Sequence, residues 1–177
     1  MQAFWARGYE ATSMQDLVNC MGIGRGSLYA TFGDKRSLFI QALRLYDQRH
    51  RHDWTARLAE LPSGKAAIMS VFDGAIASAL DGGCRNGCLL MNTALELSPH
   101  DREIGEIVSQ CLEHMERFFC EQLERAQAAG EIPGDLRPDQ VAKALLALLV
   151  SLRVFTRARP EPTLLRAVSY QAEMIIS

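Results

Sequence analysis

Apolar residues recur at intervals of three and four along almost the whole chain, the spacing of one face of an amphipathic helix. Alternation with a period of two, which is typical of a half-buried strand, never continues for more than a few residues. Glycine, proline and hydroxyl residues interrupt the helical pattern at intervals. The pattern therefore predicts an all-α protein.

The first predicted helix covers Met1–Arg7 and stops at Gly8, which tolerates the left-handed conformation that ends many helices. No capping residue precedes this helix. We therefore expect that it lacks its beginning and that further residues precede Met1 in the full-length product.

Two short helices with a glycine turn between them follow. Thr12 or Ser13 supplies a hydroxyl N-cap for the first, which ends at Met21. Gly22-Ile23-Gly24 forms a tight turn, and the second helix covers Arg25–Phe32. The pair is predicted to form a compact unit.

The rest of the chain is predicted to consist of longer helices. They cover Lys35–Glu60, Lys65–Leu80, Cys88–Leu97, a segment from Ser98-Pro99 to Gly130, Pro138–Ala158 and Thr163–Ile176. Pro99 is expected in the favoured first helical position. We place a domain boundary inside the first of these helices, between residues 1–47 and residues 48–177.

The composition is that of a globular protein, with 48% hydrophobic and 23% charged residues among 177. The longest apolar stretch, Ala144–Val150, is much shorter than the ~20 residues that span a bilayer. No charged-then-apolar leader opens the chain. We therefore expect a cytoplasmic protein with no membrane partner.

The net charge of −2 is unevenly distributed. Residues 1–50 carry six Lys or Arg against four acids, and the remainder carries an excess of acids. A polyanionic partner is therefore expected to meet the front of the chain.

The five cysteines are an odd number and include no CxxC pair. They therefore indicate neither a disulfide framework nor a zinc finger, and reduced thiols are expected. These residues are Cys20, Cys84, Cys88, Cys111 and Cys120.

The segment GYEATSMQDLVNCMGIGRGSLYATFGDKRSLF, from Gly8 to Phe39, resembles the DNA-binding head of the TetR family of repressors without a gap. The resemblance implies a three-helix, helix-turn-helix head whose second short helix enters the major groove. A small core is expected to fix the angle between the two short helices. It consists of Leu17, Val18, Ile23, Leu28 and Phe32.

The resemblance also implies a set of DNA-contacting positions. They are Thr12, Ser13, Arg25, Gly26, Ser27, Tyr29, Thr31 and Lys35. Arg25 is suited to guanine O6 and N7, Lys35 and Tyr29 to phosphate oxygens, and Gly26 to close backbone approach. For Tyr29, packing against the first short helix is an equal alternative.

Two positions depart from the family pattern. Gly24 stands where serine is frequent, and Ala30 stands where a bulkier residue is frequent. Base readout is therefore expected to depend on fewer side chains. Arg36 and Arg44 are expected to be ordinary solvated charges of a helix.

The segment GCLLMNTALELSPHD, Gly87–Asp101, resembles one subgroup of TetR-type sensor domains. The second domain is expected to bind a small apolar or amphipathic effector in a pocket, with no cofactor. Its expected lining residues are Met69, Phe72, Ile76, Met91, Asn92, Gln110, His114 and Phe118. Apolar stripes of this kind also form ordinary cores, and that alternative stays open.

The last two helices carry more apolar surface than one monomer requires. Similar helices in the resembled family pair across a two-fold axis. The resemblance therefore implies a homodimer through these helices, whose two heads read half-sites about one helical turn apart on double-stranded operator DNA.

Cysteine chemistry offers an alternative signal. Cys84 and Cys88 flank a glycine-rich loop, and Cys88 lies near a helix N-terminus, which favours the reactive thiolate. An electrophile- or oxidant-sensing regulator is therefore a second hypothesis, beside inert thiols. A metal site at Cys111, His114 and Cys120 is disfavoured because these residues do not share a helix face at ligand spacing.

No GxSxG, HExxH, Walker or GxGxxG motif is present, and we expect no enzyme. The predicted function is ligand-responsive transcriptional repression through a palindromic operator, with a helical adaptor that binds no DNA as the alternative of another class. Transcriptional activation stays open as an alternative to repression.

Overall fold

The computed structural model describes residues 1–81 and 86–177, and the regular structure of these residues is helical without a strand. The all-α prediction is therefore confirmed. The helices are α1 Gln2–Arg7, α2 Met14–Met21, α3 Arg25–Phe32, α4 Lys35–Asp47, α5 Asp53–Ala59, α6 Gly64–Leu80, α7 Leu89–Glu96, α8 Arg102–Ala128, α9 Pro138–Ala158 and α10 Pro162–Ile175. Among them, no helix has the length and apolar character needed to span a membrane.

The chain forms two compact units. The first contains Met1–His52 and Cys88–Ser109, and the second contains Asp53–Gly87 and Gln110–Ser177. The first unit thus combines the amino-terminal helices with α7 and the beginning of α8. The functional boundary between residues 47 and 48 stays a prediction, because these units are defined by packing alone.

Aromatic rings and leucines form the core of the first unit. The Phe4 ring meets the Phe39 ring edge to face at 5.0 Å between centroids, and Tyr9 packs on Phe39 at the same distance. Leu17 and Leu28 are almost fully buried, as predicted. Val18, Ile23 and Phe32, the other expected members of the core, are half-buried.

The two short helices are ended and started by local hydrogen bonds. The Ser13 hydroxyl accepts from the Asp16 amide while the Asp16 carboxylate accepts from the Ser13 amide, so Ser13 is the N-cap of α2. Gly22 ends α2 with φ 66° in the left-handed region, which glycine adopts without the penalty of a Cβ.

The second unit is built around α6, α9 and α10, which pack on the later part of α8. The Phe72 and Phe119 rings stack at 6.1 Å in its core, beside the fully buried Leu145 and Leu165. At the start of α6, a Cβ on Gly64 would lie 2.4 Å from the Gln122 carbonyl oxygen. Only glycine therefore permits this backbone approach.

Two predicted helices differ from the structure. The long helix expected from Lys35 contains a π-helical segment at Gln48–His52 between α4 and α5. The helix expected from Ser98-Pro99 begins instead at Arg102. The amides of His100 and Asp101 both bond to the Leu97 carbonyl oxygen, so the intervening residues form a turn and Pro99 is not the first helical residue.

Candidate nucleic-acid interface

Helix α3 presents one wide exposed face. Leu28 is completely buried and anchors the opposite side of the helix to the core of the first unit. The exposed residues of α3 include five predicted DNA contacts, which are Arg25, Gly26, Ser27, Tyr29 and Thr31. The helix therefore carries these five positions as a ridge that solvent, or a ligand, can reach.

Arg25 and Tyr29 form a pair on this ridge. The Arg25 guanidinium carbon lies 5.8 Å from the centroid of the Tyr29 ring, within the range of a cation–π contact. Tyr29 is 41% exposed, which fits an accessible ring better than the alternative of packing against α2. The hydroxyl and the guanidinium remain able to donate hydrogen bonds outward.

Lys35 begins α4 directly after the N-cap Asp34, whose carboxylate accepts from the Ser37 amide. That hydrogen bond holds the pKa of Asp34 below its ordinary value. The Lys35 ammonium lies 4.3 Å from the centroid of the Tyr9 ring and donates to the Glu10 carbonyl oxygen at 3.4 Å. The cation is thus held beside the turn between α1 and α2.

Thr12 and Ser13, the two alternatives for the start of α2, have different surroundings. Thr12 is buried, and its hydroxyl donates to the Gly8 carbonyl oxygen at 2.6 Å. Ser13 is exposed and caps α2. Its hydrogen bonds to Asp16 hold the pKa of that carboxyl below its ordinary value, helped by Arg7 at 2.9 Å. At this helix N-terminus only Ser13 offers an accessible hydroxyl.

The expectation that Arg36 is an ordinary solvated charge is wrong. Its guanidinium donates to both oxygens of Asp101, at 2.6 and 2.9 Å, and to Glu103 at 2.9 Å. The bidentate contact with Arg36 lowers the pKa of Asp101 to about 2. Arg44, 64% exposed, makes a longer 3.4 Å contact with Glu103 and fits the expectation better.

Glu96 is a further contact residue that the sequence reasoning did not single out. Its carboxylate accepts from the Tyr9 amide at 3.2 Å and from the Glu10 amide at 2.9 Å. Both Glu96 and Asp101 lie in the segment Gly87–Asp101 that carried the second resemblance. Their partners are far away in the sequence, so no local pattern could have revealed these contacts.

The predicted effector residues are divided between the two units. Met91 and Asn92 belong to α7 in the first unit and are half-buried. The other six lie in the second unit, where Phe72 and Phe118 are buried in the hydrophobic core. These two rings therefore fit the alternative in which the apolar stripe forms an ordinary core.

The remaining four predicted effector residues differ in exposure. Met69 and Ile76 pack at the edge of the core, and Gln110 is exposed. His114 is half-buried, with Nε2 3.3 Å from the Thr55 hydroxyl oxygen. Ile76 also lines an open groove of about 460 Å³ between α6 and α10. The assignment of these residues to an effector site stays a prediction.

The described cysteines are all free thiols, in different environments. Cys88 is the N-cap residue of α7, half-buried, and its sulfur accepts from the Tyr46 hydroxyl at 3.6 Å. Burial, followed by the charge of Glu124, raises the pKa of Cys120, which disfavours its thiolate. Cys20 is exposed on α2. Cys84, the other predicted redox residue, lies outside the described residues.

Two family descriptions match the sequence. "Bacterial regulatory proteins, tetR family" matches residues 1–42, and "Tetracyclin repressor-like, C-terminal domain" matches residues 64–170. The two matches correspond to the predicted head and to most of the predicted body.

Curated proteins of known sequence are similar over most of the chain. The uncharacterized HTH-type transcriptional regulator YezE of Bacillus subtilis (strain 168) is 35% identical over 135 residues, covering 76% of this chain and 70% of YezE. The HTH-type transcriptional repressor ComR of Escherichia coli (strain K12) is 32% identical over 159 residues, covering 89% of this chain and 75% of ComR.

A solved structure with a similar fold is complexed with DNA. A cysteine mutant of the TetR family transcriptional regulator CifR, complexed with double-strand operator DNA, matches with a TM-score of 0.84 and 29% identity. The match covers 97% of this chain and 90% of the CifR chain.

Proposed function

This chain belongs to the TetR family of bacterial transcriptional regulators, and we propose that it is a repressor that binds a palindromic operator as a dimer and leaves it when a small effector binds. The observation that carries the proposal is the exposed face of α3, which the fully buried Leu28 fixes in place. A helix presented in this way has the dimensions that a major groove admits.

The charge and chemistry of the head support operator binding. Arg25 and Lys35 supply cations, Ser13 supplies an exposed hydroxyl at the start of α2, and Gly26 has no atom within 4 Å of the position that a Cβ would take. Phosphate contacts orient the head on the duplex, and base-edge contacts from α3 provide the sequence preference. CifR, a relative by structure, is complexed with operator DNA.

The effector is proposed to be a small apolar or amphipathic molecule that binds mainly to the second unit. Met69 and Ile76 offer apolar contact there, and His114 offers a ring nitrogen near the Thr55 hydroxyl. Repression is relieved if the effector favours a conformation that cannot bind the operator. A shift of that size requires a preference of several kcal/mol, so the effector must be well buried.

The first test compares the DNA affinity of variants at the interface. We expect Lys35→Ala and Tyr29→Ala each to weaken binding to a duplex that the wild type enriches from a random-sequence library, without a change in the far-UV circular dichroism. Lys35→Ala should also reduce the slope of log Kd against log salt by about one phosphate contact. Fluorescence anisotropy over a salt series measures both quantities.

The matched control is Lys65→Ala, which removes the same charge from the second unit, where the Lys65 ammonium donates to the Ser177 hydroxyl at 3.1 Å. Unchanged affinity in both interface variants would contradict the assignment of α3 and Lys35 to DNA. If neither the wild type nor any variant binds duplex DNA, the result favours the alternative of a helical adaptor.

A second candidate function is regulation by thiol oxidation. Cys88 carries this candidate because it is the partly accessible N-cap residue of α7, and a cysteine reacts with an oxidant as its thiolate. Attack of that thiolate on hydrogen peroxide would release hydroxide and leave a sulfenic acid on Cys88. The Tyr46 hydroxyl, which donates to the Cys88 sulfur at 3.6 Å, would then lie beside a sulfenic acid instead of a thiol.

Peptide mass spectrometry after mild peroxide treatment tests this candidate. Cys88 should be modified faster than Cys120, whose pKa burial raises, and the loss of operator affinity should disappear in Cys88→Ser but persist in Cys20→Ser. An unmodified Cys88 together with unchanged operator binding would eliminate the redox reading and leave the effector reading intact.

A further inference from the structure

Glu96, the last residue of α7, holds the turn between α1 and α2 from a position that is distant in the sequence. One carboxylate oxygen accepts from the Tyr9 amide and the other from the Glu10 amide, at 3.2 and 2.9 Å. We propose that Glu96 is a positioning residue for DNA binding, which fixes this turn and, through it, the Lys35 ammonium. The proposal rests on the operator binding proposed above.

The turn connects Glu96 to Lys35 in two steps. Its amide groups at residues 9 and 10 are bound by Glu96, and the same two residues offer Lys35 the Tyr9 ring and the Glu10 carbonyl oxygen. The Tyr9 ring is itself held against Phe39 in the core. A displacement of this backbone therefore moves both groups that hold the ammonium.

The chemistry of the contact requires a carboxylate. Each oxygen receives one amide proton, so both amides are satisfied by a group that only accepts hydrogen bonds. A glutamine has a single acceptor oxygen, and its NH2 group would face the second amide donor. Removing one acceptor leaves a backbone amide without its partner in the protein, which weakens the fixed geometry of the turn.

Gly8 makes the close approach of Glu96 possible. Its φ of 86° lies in the left-handed region, and a Cβ there would lie 3.0 Å from one Glu96 carboxylate oxygen. Glycine at position 8 thus permits the left-handed backbone and leaves space for the Glu96 carboxylate. The turn between α1 and α2 is therefore held by Glu96, a residue outside the predicted head.

The residue next to Lys35 is held by the same segment of the chain. Arg36 bonds to Asp101 and Glu103, which follow Glu96 closely in sequence. Residues 96–103 therefore make two attachments. Asp101 and Glu103 bind Arg36 at the start of α4, and Glu96 binds the turn before α2. Lys35 lies between these two attachments, where the Tyr9 ring and the Glu10 carbonyl oxygen orient its ammonium.

The direction of the change in DNA affinity distinguishes a positioning role of Glu96 from simple repulsion of phosphates by its charge. Removing a negative charge from a DNA-binding unit strengthens binding if the charge acts only by repelling phosphates. Removing a positioning residue weakens binding although the protein becomes less negative. Glu96→Gln therefore gives opposite results under the two explanations.

The experiment measures anisotropy of a fluorescent duplex enriched by the wild type, and of a scrambled duplex, over a potassium chloride series. We expect Glu96→Gln to weaken binding to the enriched duplex several-fold and to lower the salt slope by about one phosphate contact. Glu106→Gln is the matched control, since this exposed carboxylate pairs with Arg102 of the same helix, α8, at 2.8 Å. It should bind as tightly as the wild type or slightly tighter.

Three further measurements keep the test decisive. Glu96→Asp retains the charge but withdraws the carboxylate by one methylene, so weaker binding by this variant cannot arise from net charge. In a Lys35→Ala background, Glu96→Gln should have little additional effect, because both changes remove the same contact. Amide hydrogen exchange should increase at Tyr9 and Glu10 in the glutamine variant.

Binding by Glu96→Gln and Glu96→Asp that equals or exceeds the wild-type affinity would overturn the proposal. A full, additive loss in the Lys35→Ala background would overturn it as well. Absence of salt-dependent duplex binding by the wild type would instead reject the proposed function, and this outcome is distinguishable because it does not depend on residue 96.

Discussion

Gly26 is a residue for which folding and binding favour different side chains. It lies in the first turn of α3, is exposed, and has no atom within 4 Å of the position of an added Cβ. Folding alone would favour alanine, because glycine costs a helix roughly 0.5–1 kcal/mol. A duplex in close contact with this backbone would favour glycine.

We predict that Gly26→Ala raises the melting temperature slightly and weakens binding to the enriched duplex several-fold. Thermal unfolding and anisotropy on the same preparation give the two values. Gly134→Ala, a second position with free space around it, serves as the control and should leave DNA affinity unchanged. Equal or higher affinity in Gly26→Ala would remove this position from the interface.

Carboxylates at the start of α8 and just before it bind Arg36 of α4, and Asp101 makes the shortest of these contacts. Asp101 precedes α8, accepts from the Ile104 amide at 3.2 Å and binds the Arg36 guanidinium of α4 with both oxygens. The Arg36 hydrogen bond is the largest cause that lowers the pKa of Asp101 from 3.8 to about 2, with burial opposing it. The folded state therefore holds the ionised carboxylate more strongly than the unfolded chain does.

This shift predicts a pH-dependent contribution to stability. The folded pKa is depressed, so the contribution is fully present above pH 3.8 and is lost as the pH falls toward about 2. Asp101→Asn, which retains a capping side chain, should lower the melting temperature by a few degrees at neutral pH. The difference from the wild type should shrink between pH 4 and pH 2.

Differential scanning calorimetry across that pH range measures the difference. Glu106→Gln, which removes an exposed carboxylate of α8, should show little change at any pH. A constant difference between the wild type and Asp101→Asn down to pH 2 would mean that the Arg36 contact does not stabilise the fold.

Two of the groups with proposed roles lie at opposite ends of α7. Its N-cap is Cys88 and its last residue is Glu96, so a helix of eight residues separates the candidate redox thiol from the carboxylate that holds the turn. Cys88→Ser and Glu96→Gln test the two proposed roles separately.

The assembled protein is proposed to be a dimer through α9 and α10. Three large apolar residues remain exposed on these helices, namely Val154, Tyr170 and Met174, with exposed fractions of 39%, 57% and 52%. Tyr170 and Met174 are four residues apart and therefore share one face of α10. A second copy of the chain would remove this face from water.

We predict that Tyr170→Glu and Met174→Glu each shift the protein toward a monomer and strongly reduce operator affinity, because two heads on one axis bind two half-sites together. Light scattering after size exclusion gives the mass. Leu95→Glu, at a residue 76% exposed in the first unit, should retain the dimer. A dimer mass in both α10 variants would place the subunit contact elsewhere.

The sequence by itself determined the helices and the head. The period of three to four residues, the glycine turn at Gly22 and the capping sequence around Ser13 are local signals, because each acts through neighbours within a few residues. Burial of Leu17 and Leu28 and exposure of the α3 ridge follow from the same periodicity. The resemblance to the TetR family added the predicted contact roles on that ridge.

Only the tertiary structure decided which residues hold that ridge and its flanks in place. The contacts of Glu96 with residues 9 and 10, and of Arg36 with Asp101, join positions more than sixty residues apart. It also decided that Thr12 is buried, and that Phe72 and Phe118 belong to the core of the second unit. Helical spacing tells which residues share a face, but what that face meets depends on long-range packing, which a single sequence does not encode in any local pattern.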